Sequence, residues 1–79
     1  MLKENIVIQE TEILTGLIAR ELIAVFGKSE NEANELIEKF EVRDNLIKNP
    51  ILLHDSPNHW ALALLTNNND VEAIEKYLN

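Results

Sequence analysis

The segment from Thr11 to Phe26 does most to limit what this chain can become. Wound at about 100° per residue, it carries Ile13, Leu14, Leu17, Ile18, Leu22, Ala24, Val25 and Phe26 over a very broad apolar arc. The strip left for water holds Glu12 and Arg20, but it also holds Gly16, Ala19 and Ile23. A helix that is apolar on nearly every side is either the central element of its own bundle or shared with another chain. The expectation is an all-α fold, a compact bundle of four short helices in a single domain over residues 1–79.

Local signals divide the rest of the chain. Gly27 suits the left-handed position after a helix, and Ser29 with Glu32 reads as a capping box opening the next one. Asn49-Pro50 stops that second helix, because the residue before proline is pushed out of the helical region. Ser56-Pro57 starts a third, with Ser as N-cap and Pro where a missing amide is harmless. Asn67 to Asp70 is a turn ending in a capping residue. The expected helices are therefore 11–26, 30–48, 57–66 and 71–78. Two readings stay open for Lys3 to Ile8: an extended arm, from its β-branched run, or a helix in phase with the one that follows.

The second helix carries Ala33, Leu36, Ile37, Phe40 and Ile47 on one stripe, with Glu35, Glu38 and Lys39 opposite. Asp44 falls within that stripe, which predicts a break near Val42 to Asp44 with Asp44 capping a final short turn. The third helix, Trp60 to Leu65, is apolar all round and needs cover from the others. The fourth places Val71, Ile74 and Leu78 on its inner side.

Seventy-nine residues place the chain near the size at which one core has little stability to spare. With no cysteine, neither disulfides nor thiolate metal sites can staple it. Packing among Ile, Leu, Val and Ala, or a partner, must supply the stability. Fourteen acidic against seven basic residues give a formal charge of −7. The basic residues stand singly among acids, which speaks against duplex DNA, RNA and anionic membrane surfaces as partners. A helix-turn-helix DNA binder fits the helix count, but the third helix has no basic residue to meet phosphate and is disfavoured by charge. Three consecutive apolar residues, Ile6 to Ile8, are too few for a signal or spanning segment, so a cytoplasmic protein is expected.

Candidate chemistry is sparse. Glu21 projects from the middle of the first helix's apolar arc, where an unpaired carboxylate would be expensive. It is read either as a buried group awaiting a partner's Arg or Lys, or as emerging at a seam and paired with Arg43, Lys28 or solvent. His54, Asp55 and His59 form the one His-carboxylate group, which frames a metal or acid-base alternative, although the spacing matches no His-Glu-x-x-His pattern. Ser29 and Ser56 have capping work, and neither a nucleophile elbow nor a phosphate-binding glycine loop is present, so no enzyme and no cofactor are expected. Trp60 is the one large aromatic suited to an interface anchor, or else it fills the core. Ser56-Pro57-Asn58-His59-Trp60-Ala61 resembles the Thr-Pro-Leu-His-x-Ala opening of an ankyrin repeat, a likeness confined to Ser56 to Asn79. It is read as shared capping chemistry, since the expected Gly is missing and a lone repeat cannot bury its own core.

These readings converge on a small acidic interaction or regulatory module that binds another protein or itself as a homodimer. The contact residues expected for it are Gly16, Ala19, Glu21, Ile23 and Trp60.

Overall fold

The computed structural model describes the backbone of residues 2–78 and the side chains of residues 5–78. The first helix, α1 (Leu2–Ala24), runs unbroken for 23 residues, so Lys3 to Ile8 continue it and form no extended arm. The helical phase shared by Val7 with Thr11, Leu14 and Ile18 is what prevails there. The chain then turns at Gly27, whose φ of 71° is the left-handed conformation expected after a helix, and the Lys28 amide donates back to the Leu22 carbonyl at 3.0 Å.

The second helix, α2 (Glu30–Lys39), opens with the capping box foreseen: the Ser29 side chain accepts from the Glu32 amide at 3.1 Å and the Glu32 carboxylate accepts from the Ser29 amide at 3.0 Å. It does not continue to Lys48. The break falls at Phe40-Glu41, ahead of the expected place, with Glu41 left-handed at φ 52°, and the Asn45 side chain ties it by donating to the Phe40 carbonyl at 3.2 Å. A separate α3 (Val42–Lys48) follows. Asp44 is exposed and does not cap that turn: it lies inside the first turn of α3, whose N-cap position is Glu41 and has no side-chain cap bond.

The break has a clear packing consequence. On an unbroken helix the stripe of Ala33, Leu36 and Ile37 would run on through Asp44 and Ile47. After the break, Val42 and Leu46 are buried while Asp44 and Ile47 face out. A charge leaves the core and two aliphatics replace it.

A 3-10 turn over Pro50–His54 leads to α4 (Pro57–Asn67), where the Ser56 hydroxyl accepts from the His59 amide at 3.2 Å and Pro57 holds the first position. The end of α4 is a Schellman motif. Asn69 is left-handed at φ 57°, the Asp70 amide donates to the Leu65 carbonyl at 2.9 Å, and the Asn69 amide donates to that of Thr66 at 3.1 Å. Asp70 then caps α5 (Val71–Leu78) by accepting from the Ala73 amide at 3.3 Å. The inner side of α5 differs in part from the expected one, although Ile74 packs against the core as foreseen. Ala73 is buried and the Tyr77 ring lies 4.9 Å from that of Phe26, whereas Val71 and Leu78 are exposed. The cap and the ring contact fix the rotation of this short helix by about one residue from the expected phase.

All five helices feed one cluster built on Ile18, Leu22, Ile37, Val42, Leu46, Leu64 and Leu65, with Phe26 and Ala73 at its end. No strand occurs among the described residues. Helix α1 lies against α2, α3 and α4, and its inner face is one narrow stripe: Thr11, Leu14, Thr15, Ile18 and Leu22. The body measures 44 by 20 by 18 Å. No helix among the described residues is long and apolar enough to cross a membrane.

Candidate functional site: the outer face of α1

The bundle covers one stripe of α1, and the helix carries apolar residues on other sides as well. Turned away from the core are Ile13, 58% exposed, Ile6, 53%, and Leu17, 41%. They stand at positions 6, 13 and 17, on the side opposite the buried stripe. Gly16 lies beside them, and a Cβ built there meets nothing within 4 Å. Ile8, 50% exposed, and Ile23 are also open to water, further round the helix and outside this row. Single exposed aliphatics are ordinary, but several in helical register on one rigid element form a patch of the kind that marks contact surfaces.

The residues expected at a contact surface are thus divided. Gly16 and Ile23 are exposed, Ala19 is half-buried against the core, and Trp60 is half-buried with its indole nitrogen donating to the Leu52 carbonyl at 3.4 Å. Glu21 is half-buried and has a partner the sequence did not announce: the side-chain amide of Asn58, at the start of α4, donates to its carboxylate at 3.0 Å. Arg43 pairs instead with Glu12 at 2.9 Å, and Lys28 with Asp70. The contribution of Ile6, Ile13 and Leu17 to an open surface went unrecognised because the sequence shows only that the whole helix is apolar.

His54, Asp55 and His59 are each exposed. No group of three or more His, Asp, Glu or Cys side chains that could hold a metal ion comes together among the described residues. Asp55 and His59 border a small apolar cleft with Leu52, Trp60 and Ala63.

A second polar locus joins the loop after α1 to the turn before α5. Lys28 and Asp70 form an ion pair with side chains only 17% and 16% exposed, and Lys39 donates to the Asn68 side chain at 2.7 Å. Between them is an open cleft of about 220 Å³ also lined by Glu32 and Glu35. Lys28 holds the Asp70 carboxyl below its ordinary value, with the Ala73 amide adding to the effect. Glu32 is likewise lowered, chiefly by the bonds it shares with Ser29 in the capping box. Both groups have evident structural duties, as helix caps and as a tether for α5. No protein-family model, curated protein or solved structure matches this sequence.

Proposed function

We propose that the chain is a non-catalytic, cytoplasmic protein-protein interaction module that docks through the outer face of α1. The observation that carries this reading is the row of Ile6, Ile13 and Leu17, open to water on a regular helix whose buried stripe, Thr11, Leu14, Thr15, Ile18 and Leu22, lies on another side. Stability of the bundle does not call for aliphatic residues there, and exposed ones are an aggregation liability unless something covers them. Three of the seven basic side chains are already engaged, Lys28 by Asp70, Arg43 by Glu12 and Lys39 by Asn68, which supports a protein partner over a nucleic acid.

The test is affinity capture from the source cell with the whole chain, set beside an Ile13→Glu, Leu17→Glu double variant of unchanged melting temperature. Selective loss of captured proteins in the variant is the expected result. An identical capture profile would remove the assignment of function to this face.

A further inference from the structure

We infer that the partner of this face is a second copy of the chain, paired antiparallel along α1 about a twofold axis level with Thr15. The inference rests on the docking role just given to the outer face and names its occupant. Reading outward-facing positions at alternating steps of three and four residues gives Ile6, Glu10, Ile13, Leu17, Arg20 and Ala24. That is the spacing of a coiled-coil seam, and all six residues are exposed.

The order of these residues is its own complement when reversed. Placed antiparallel with Ile13 opposite Leu17 of the second copy, Glu10 falls opposite Arg20 and Ile6 opposite Ala24. Each pairing occurs twice, as an isologous interface requires. The two acid-base pairs flank a central aliphatic layer. Gly16, beside the axis with open space around its α-carbon, lets the two backbones approach.

Other arrangements lose this match. Sliding the pairing by one heptad step sets Glu10 against Ile13 or Arg20 against Leu17, leaving charges facing aliphatics. Parallel pairing sets Glu10 on Glu10 and Arg20 on Arg20, and like charges brought together discriminate strongly against such an alignment. The seam is neutral although the chain carries −7, so repulsion acts mainly over distances that salt screens, beyond about 8 to 10 Å. From Ile6 to Ala24 the seam is about 27 Å long at 1.5 Å per residue. An interface of that length falls at the small end of specific contacts, below about 1,200 Å², and dissociation in roughly the micromolar range is expected.

Sedimentation velocity of the full chain from about 5 to about 500 µM tests the pairing over that range. Dimer is expected to accumulate with concentration. Arg20→Glu and Glu10→Arg should each weaken it at least about tenfold, because each sets like charges opposite one another twice. The combined Glu10→Arg, Arg20→Glu exchange should return it to within about threefold of the parent. Orientation is read by a spin label on Asn5→Cys in this otherwise cysteine-free chain. Antiparallel pairing separates the two labels by about 30 Å along the axis, and parallel pairing brings them within about 10 Å. A monomer at the highest concentration, a charge exchange that fails to restore the dimer, or a short label distance overturns the inference. A monomeric parent whose capture profile still depends on Ile13 and Leu17 would overturn self-pairing alone and leave the docking face standing.

Discussion

Helix α1 and the pair α2–α3 make opposite uses of similar residues. The 23 residues of α1 run unbroken and leave Ile6, Ile8, Ile13, Leu17 and Ile23 in water. The segment from Glu30 to Lys48 breaks at Glu41 and turns its second half inward, so that Val42 and Leu46 are buried and the one large aliphatic left out is Ile47. A helix that must hide apolar residues from two faces can be broken, as α2–α3 is. A helix kept straight retains a second apolar face, and that face is available to another chain.

The sharpest way to break this contrast is to truncate one residue on each side of α1. Ile18→Ala removes a fully buried side chain and should cost about 2–5 kcal/mol, much of what so small a domain has. Ile13→Ala should change the stability of the monomer by no more than about 0.5 kcal/mol. Urea denaturation at low protein concentration measures both, and equal losses would mean that α1 has no free face.

A smaller effect of opposite sign is expected within the buried stripe. The Thr11 hydroxyl is buried without a hydrogen-bond partner among the described residues, whereas that of Thr15 donates to the Thr11 carbonyl at 2.9 Å. Thr11→Val should therefore stabilise by about 1 kcal/mol, since it replaces an unpaired polar atom with a methyl of similar size. Thr15→Val, which deletes a bond, should not stabilise. A fall in melting temperature for Thr11→Val would show that the hydroxyl is satisfied after all.

The break itself is open to test. Glu41 holds a left-handed conformation that disfavours a side chain by about 1 kcal/mol or more, and glycine adopts it freely at some entropic cost. Glu41→Gly should thus stabilise by roughly 0.5 kcal/mol. If it destabilises instead, the glutamate side chain has a role at the break beyond its backbone geometry.

Acid should loosen the C-terminal helix first. Asp70 has a folded value held below its ordinary 3.8 by Lys28, so its contribution to stability is fully present above the ordinary carboxylate range. That contribution is lost as pH falls through the lowered value, and Glu32, lowered from 4.5, acts in the same direction. Melting temperature followed by circular dichroism from neutral pH downward should fall on the acid side, and Asp70→Asn should flatten that limb. An unchanged acid limb in Asp70→Asn would mean the ion pair does not tether α5.

The local half of the architecture was legible in the residues themselves. The Ser29–Glu32 box, left-handed Gly27, the Ser56-Pro57 start and the Asp70 cap each lie within a few residues of the amides or turns they satisfy, so short-range chemistry is enough to place them. Asp44 inside an apolar stripe likewise announced that the second helix must break. The rotation of the elements was not legible. Whether Val42 or Ile47 enters the core, whether α5 seats on Ala73 or Val71, and whether Glu21 meets Asn58 or Arg43 are decided by partners far away in the chain.

The same division holds for the candidate site. By itself the sequence determined that the first helix carries more apolar surface than water tolerates. Only the tertiary structure decided which stripe is covered, because burial is settled by neighbouring helices competing for a limited contact area. With Thr11, Leu14, Ile18 and Leu22 taken by the bundle, the seam from Ile6 to Ala24 remains on the outside, and Ile8 and Ile23 with it.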